Sequence, residues 1–249
     1  MTTLDIQRKA NLEWTALSAR RASDILMACA GLVLLAPLLA LIVLAVWIEG
    51  GRPVFFSQVR IGQGGRPFRI YKFRKFATDC GTSGCGVTVK SDLRLTHLGA
   101  FLERTKLDEL PQLWNILRGD MSLAGPRPES QKFADCFAGG YNAVLRHLPG
   151  LFGPSEFYFR NEGALYPAGI DPESFYRQVL FPLKADIDLG YFPHRTLAAD
   201  FGWIIRGILI VFGLRLIPAE LVDGTQEKFA GSAAESSCKP ASLPSRSTA

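Results

Sequence analysis

Two adjacent carboxylates, Asp108 and Glu109, stand in the stretch Thr105-Lys106-Leu107-Asp108-Glu109-Leu110-Pro111-Gln112-Leu113-Trp114-Asn115. Neighbouring side chains on a helix point about 100° apart, so the two acids can do different work around one site. An aspartate is a competent nucleophile toward phosphorus and gives an acyl phosphate. A carboxylate beside it can hold Mg²⁺, which neutralises a diphosphate and polarises it for attack. The bland alternative is that Thr105 caps a helix whose N-terminal dipole the two acids favour.

The neighbourhood adds groups suited to phosphate. In Gly119-Asp120-Met121-Ser122-Leu123-Ala124-Gly125-Pro126-Arg127-Pro128-Glu129, a stiff Gly-Pro/Arg-Pro turn carries Arg127, and a guanidinium held that way suits a bidentate phosphate contact. Upstream, Arg60, Lys72, Arg74 and Arg94 supply further positive charge, with aromatic residues between them. The whole chain has 249 residues and a net charge of +5. An anionic partner is expected, whether nucleic acid, anionic lipid or a phosphorylated substrate. No recognition helix or base-stacking motif is visible, which argues against nucleic acid.

The five cysteines, Cys29, Cys80, Cys85, Cys136 and Cys238, are odd in number and irregular in spacing, which disfavours a disulfide framework. Cys80 and Cys85 resemble half a metal knuckle, but no Cys/His pair follows at zinc-site spacing. A reducing, cytoplasm-facing environment fits better. The first two dozen residues carry charge throughout, unlike a signal peptide.

What must position these groups is one core, a membrane element and a tail. The membrane element is the apolar run from Ile25 to Ile48, which as a helix would measure about 36 Å against a hydrocarbon core of about 30 Å. Pro37 lies at its centre and predicts a break. Both flanks are basic: Arg20 and Arg21 precede the run, and Arg52, Arg60, Arg66, Arg69, Lys72, Arg74 and Lys75 follow it. Lys and Arg favour the cytoplasmic side, so a re-entrant hairpin turning at Pro37 satisfies both ends at once; a kinked single span is the competing arrangement. Asp24 is placed to pair with Arg21 or to cap the start of the run.

Beyond it, Val54 to Phe56 and Phe68 to Phe73 read as a β-hairpin about Gly62-Gln63-Gly64-Gly65, with a basic face. Asp79 to Gly86 reads as a loop. Helices are predicted over Leu95 to Leu102, Leu107 to Leu117 with a stop at Gly119, and Pro172 to Leu189 with Phe175, Val179, Leu183 and Ile187 on one face. Leu197 to Phe212, interrupted by Asp200, Arg206 and Gly207, suits a helix lying in the membrane interface. After Gly224 the composition predicts a disordered tail.

Taken together, the chain resembles the bacterial sugar transferase family of monotopic polyprenyl-phosphate phosphoglycosyl transferases. The likeness rests on six ordered motifs across residues 18 to 220. These are Arg21-Ala22-Ser23-Asp24; Gly51 to Gln58 with Arg60 and Gly62; Phe68 to Arg74; Asp92-Leu93-Arg94-Leu95-Thr96 with Gly99; Leu107 to Gln112; and Met121 to Pro128. The resemblance implies an α+β monotopic membrane protein: a re-entrant Pro-broken helical hairpin, a small β-hairpin region and several short amphipathic interfacial helices. The boundaries expected are an amphipathic or flexible segment at 1–19, the re-entrant helix at 20–50, a cytosolic catalytic domain at 51–223 and the tail at 224–249.

It also implies that Asp108 attacks the β-phosphorus of a UDP-sugar, that Glu109 helps hold Mg²⁺, and that Arg127 lies in the nucleotide and phosphate region. Arg94, Arg74, Lys72, Arg60, Gln112 and Pro126 are the further candidate substrate-binding residues, and Pro37 is the membrane break. The partners implied are a UDP-sugar, undecaprenyl phosphate and membrane lipid, with no nucleic acid and with a homodimer left open. The expected location is the cytoplasmic face of the bacterial inner membrane, and the expected role is initiation of exopolysaccharide, O-antigen or capsule assembly.

The sequence departs from the family at four places. Glu103, with Arg104 beside it, stands where the family commonly has an arginine. Lys-Phe-Arg-Thr-Met appears as Lys72-Phe73-Arg74-Lys75-Phe76, and the Ser-Pro of the membrane break as Ala36-Pro37. Pro-Gly-Ile-Thr-Gly and its following Gln-Val segment appear as Pro149-Gly150-Leu151-Phe152-Gly153-Pro154-Ser155 and then diverge.

Overall fold

The computed structural model describes residues 3–77, 94–167, 169–211 and 214, with side chains from Leu17 onward. The loop expected at Asp79 to Gly86, Cys80, Cys85, Asp92, Leu93 and the tail with Cys238 lie outside the described residues.

Helix α1 (Thr3–Leu34) runs unbroken through the boundary expected near residue 19. Leu35 leaves the helical region, and α2 (Ala36–Gly50) begins with Pro37 in its first turn. There the missing N–H costs nothing, because the first helical donors have no partner within the helix. The arms meet at a bend of 62°. The predicted hairpin is thus an open bend rather than two antiparallel arms. No single described helix is long and apolar enough to cross a membrane. The apolar part of α1 from Ile25 measures about 15 Å and α2 about 22 Å, each short of a core of about 30 Å.

The inner faces of the arms pack while the outer ones stay open. Ala28 of α1 joins Leu113, Ile116, Met121 and Leu123 in one core cluster, and Ile42 and Val46 of α2 join Phe73 and Leu102 in another. Leu26, Val33, Leu34, Leu41, Trp47 and Ile48 remain exposed. Asp24 neither pairs with Arg21 nor caps a helix start, since α1 begins well before it. It is buried, and its Oδ1 accepts a hydrogen bond from Leu123 N at 2.9 Å. Arg21 instead donates to the carbonyls of Ile116 (2.6 Å) and Leu117 (2.9 Å), the loose acceptors at the end of helix α4 described below.

The hairpin is found with longer strands than expected. Strands β1 (Phe55–Ile61) and β2 (Pro67–Phe73) pair antiparallel from Phe55↔Phe73 to Ile61↔Pro67. The register sets Arg60 opposite Phe68, and alternation then places Arg60, Ile70 and Lys72 on one face of the ribbon.

Helix α3 (His97–Thr105) starts on Thr96, whose Oγ1 accepts from Gly99 N at 2.9 Å, and ends at Lys106 in the left-handed region (φ 61°). Thr105 is therefore no N-cap: it lies in the last turn and its hydroxyl donates back to Phe101 O. The helix expected from Leu107 is split into a 3₁₀ turn at Leu107–Glu109 and α4 (Gln112–Arg118). Pro111 has no N–H to carry a helical ladder across the junction. The stop at Gly119 is found, in the left-handed conformation (φ 88°).

Strands β3 (Ser122–Ala124) and β4 (Gly150–Phe152) pair in parallel, an element too short and too rich in Gly and Pro to have been predicted. Their backbones nearly touch at Gly125 and Gly150. A Cβ on Gly125 would meet Leu148 O at 2.2 Å, and one on Gly150 would meet Gly125 N at 2.0 Å. Only glycine permits this approach, and it presses the Arg127 turn against the Pro149-Gly150 segment.

A short α5 (Pro154–Tyr158) follows. A continuous helical stretch then comprises α6 (Pro172–Phe175), a π turn at Tyr176–Leu180 and α7 (Phe181–Tyr191), matching the predicted helix. Its apolar face joins Phe133, Phe137, Val144 and Phe159 in the third core cluster. Helix α8 (Leu197–Val211) buries Asp200 and Ile204 and leaves Ile205 and Ile208 exposed.

Candidate active site

Lys106 bends the chain sharply, so the turn behind it carries Asp108 and Glu109 inward. They are only 3% and 6% exposed, which excludes a merely solvated acidic helix start. Asn115 fixes the turn against the hairpin. Wholly buried, it accepts from Tyr71 N at 3.2 Å and donates to Arg69 O at 2.8 Å, so it extends the β2 ladder with its own amide. Lys72, one residue further along β2, then meets Glu109: Nζ donates to Oε1 at 2.7 Å. The same oxygen accepts from Arg127 Nη2 at 3.1 Å, and Arg127 Nη1 donates to Glu156.

The two carboxyls are pushed in opposite directions. Burial would raise Glu109, but Lys72, Arg127 and Lys106 outweigh it and hold the group well below the usual carboxylate range. Burial raises Asp108, Lys72 opposes that, and the charge on Glu109 adds to the rise. Its Oδ1 is buried with no hydrogen-bond partner. Burial also lowers Lys72 against the pull of Glu109. Arg127 would be lowered by burial, but Glu156 and Glu109 hold it well above its ordinary value. The result is an ionised Glu109 clamped by two cations and, beside it, an acid with a spare oxygen.

Four predicted ligands, Arg60, Lys72, Gln112 and Arg127, converge on one cleft with Ile70, Pro128 and Gly150. Arg60 donates to Pro128 O at 3.3 Å, while its Nε and the Nε2 of Gln112 are buried without partners. Three cationic side chains in one cleft, with a guanidinium donor of Arg60 and an amide donor of Gln112 lacking acceptors, suit a polyanion. The other three predicted ligands lie outside the cleft lining. Pro126 is scaffold, its carbonyl accepting from Gly150 N at 2.8 Å. Arg74 donates to Gly51 O at 3.2 Å, and Arg94 lies over the ring of Phe76 at 4.7 Å.

Two departures from the family pattern meet each other: Lys75 donates to Glu103 at 3.0 Å. Glu156, Lys106 and the positioning amide of Asn115 were not assigned from sequence. Glu156 lies in the divergent segment after Gly153, where no motif marks it.

Among the described residues no three His, Cys, Asp or Glu side chains gather as a metal cage. Mg²⁺ does not need one, since it keeps several waters and takes one or two carboxylates together with substrate phosphates. Adjacent Asp108 and Glu109, the first with a buried carboxylate oxygen that has no partner and the second bonded to the cleft residues Lys72 and Arg127, fit that donor set.

The model of the family described as bacterial sugar transferase matches residues 15–213. An Aeromonas hydrophila protein named UDP-N-acetylgalactosamine-undecaprenyl-phosphate N-acetylgalactosaminephosphotransferase is 35% identical over 74% of this chain and 44% of its own length. A Rhizobium leguminosarum exopolysaccharide production protein is 46% identical over 43% of this chain and 54% of its own length. The Escherichia coli UDP-glucose:undecaprenyl-phosphate glucose-1-phosphate transferase is 40% identical over 54% of this chain and 30% of its own length. The chain therefore spans about half or less of the length of these relatives. The family match takes in the bent helix pair, the carboxylate turn, the Arg127 segment and helix α8, and the chain belongs to the bacterial sugar transferase family.

Proposed function

We propose that this protein is a phosphoglycosyl transferase that moves a sugar phosphate from a UDP-sugar to polyprenyl (undecaprenyl) phosphate, releasing UMP, through a phosphosugar carried on Asp108. The observation that carries the reading is the asymmetric acid pair. Glu109 is held ionised by Lys72 and Arg127, which line the cleft with Arg60 and Gln112, while the adjacent Asp108 keeps a buried oxygen free of protein partners.

In the first step an Asp108 oxygen attacks the β-phosphorus. The bond between that phosphorus and the bridging oxygen breaks, and its electron pair leaves with UMP. In the second, a phosphate oxygen of the polyprenyl carrier attacks the same phosphorus, the aspartyl–phosphorus bond breaks, and the carboxylate is restored. Arg127, Arg60, Lys72 and Gln112 orient the diphosphate and stabilise its developing charge. Mg²⁺, held by Glu109, would neutralise the diphosphate when bound.

The exposed apolar side chains about the bend support placing α1 and α2 in lipid as a re-entrant element. The two ends of the pair return to one folded body: Arg21 bonds α4, Gly51 accepts from Arg74, and Glu49 accepts from Leu98 N at 3.0 Å. The catalytic domain then lies on the cytoplasmic face of the inner membrane, initiating a surface glycan.

Purified protein with a panel of UDP-sugars and undecaprenyl phosphate should release UMP rather than UDP. With donor alone, mass spectrometry should find a phosphosugar adduct on Asp108; product formation without any adduct would overturn the covalent step. Cysteines placed at Ser18 and Gly51 should both label from the cytoplasmic side, and labelling from opposite sides would exclude the re-entrant topology.

A further inference from the structure

Glu156 has no part in the two chemical steps above, yet its carboxylate lies against the principal phosphate ligand. It accepts from Arg127 Nη1, while Nη2 of the same guanidinium bonds Glu109. Its Oε1 is 4.0 Å from Lys106 Nζ. Charges therefore alternate through the site in the order Lys72, Glu109, Arg127, Glu156, Lys106.

The backbone beneath Glu156 cannot drift. Ser155 is wholly buried and its hydroxyl donates to Asp188 Oδ2 of α7 at 2.9 Å; Phe157 on the other side is buried, and its N–H bonds Gly153 O at 3.0 Å. Gly153 itself is packed against the Arg127 turn: a Cβ there would meet Gly125 O at 2.7 Å. Arg127 is thus gripped at its two Nη ends by carboxylates mounted on different, separately fixed elements. A planar guanidinium held at two points has little freedom left.

We propose, resting on the reading of the reaction given above, that Glu156 is a positioning residue that fixes the Arg127 guanidinium so that it meets the donor diphosphate in line with Asp108. The competing role for a carboxylate on a phosphate ligand is that of a rival anion that the donor must displace. The two roles move the kinetics in opposite directions. Losing a support misplaces Arg127 in the transition state and lowers kcat, whereas losing a rival tightens the donor and lowers KM.

The experiment is a double-mutant cycle on the full chain, reading UMP release against donor concentration for wild type, Glu156→Gln, Glu156→Ala, Arg127→Ala and the double Ala variant, with thermal unfolding of each. Glu156→Ala should lower kcat/KM by about 30- to 100-fold, chiefly in kcat, and near-isosteric Glu156→Gln should recover part of that. In the Arg127→Ala background, Glu156→Ala should change kcat/KM by less than about twofold, because the residue acts through Arg127. Near-wild-type kinetics of the single variants, a lowered donor KM in Glu156→Gln, or additive losses in the double variant would each overturn the proposal. If wild type releases no UMP from any sugar tested, the reaction itself is misassigned and this inference falls with it.

Discussion

Two buried clusters of charge lie close together in this molecule, one built around Lys72 and the other around Lys184. Lys184 Nζ donates to Glu129 (3.3 Å), Glu162 (3.0 Å) and the hydroxyl of Tyr176 (3.1 Å), which uses all three ammonium protons. Burial would lower it, but Glu129 and Glu162 raise it above its ordinary value. Lys72 is lowered, with Glu109 as its ion-pair carboxylate among the described residues. The Lys184 ammonium is saturated and ties α7 to the chain behind Arg127. The Lys72 cluster is left unsaturated at Asp108, Arg60 and Gln112. Burial alone therefore does not mark a site; unspent donors that converge on one cleft, as those of Arg60 and Gln112 do, point to one.

That contrast can be broken from either side. Asp108→Asn should abolish both turnover and the adduct, a loss of more than about 10³-fold, with thermal stability kept. Lys184→Met should do the reverse and unfold the protein before it alters chemistry. Removing one partner from a buried ionic cluster costs roughly 3–5 kcal/mol, so the midpoint should fall by roughly 10 °C. An unchanged midpoint would show that the saturated cluster does not stabilise the fold.

Smaller effects sharpen the comparison through pH. Since Asp108 is raised above its ordinary 3.8, kcat/KM should fall on acidification through a limb lying above that value. Lys72→Met removes a charge that lowers Asp108, so the limb should move to higher pH, with a greater loss at pH 6 than at pH 8. An unmoved limb would uncouple Lys72 from Asp108.

Asp188 is raised from 3.8 to about 7, chiefly by burial, with the Ser155 hydroxyl opposing. A raised acid binds its proton more tightly in the folded state. Its contribution to stability is therefore full below about pH 4 and lost as the pH rises through about 7. Asp188→Asn should accordingly raise the unfolding midpoint by a few degrees at pH 8 and by less at pH 5, measured by thermal scans. Equal shifts at the two pH values would place the ionisation elsewhere.

The sequence carried the parts of this site whose residues are close along the chain. The acid pair, the Gly-Pro/Arg-Pro turn, the basic hairpin face and the proline break all announce themselves through composition within a dozen residues. What it did not carry are the long-range meetings. Glu156 reaches Arg127 from the far side of β4, and Asn115 completes a β ladder from a helix; neither has a local signature. The helix expected from Leu107 rests on apolar spacing, which does not reveal the turn that carries the acids, because the left-handed Lys106 that creates it is a residue type that seldom adopts that conformation. Glu103 and Lys75 read as two separate departures until the fold set them side by side.

The grip of Arg21 on the end of α4 gives the bent helix pair a fixed origin. From Arg21 to the bend at Leu35 runs about 21 Å of helix, roughly two-thirds of a hydrocarbon core of about 30 Å. With the pair in lipid, as proposed, that length would act as a depth gauge calibrated against the folded body. One residue inserted between Asp24 and Gly31 would lower the apex by only about 1.5 Å but rotate it by about 100°, carrying Gly31 away from Leu113 and aiming the second arm along a different bearing.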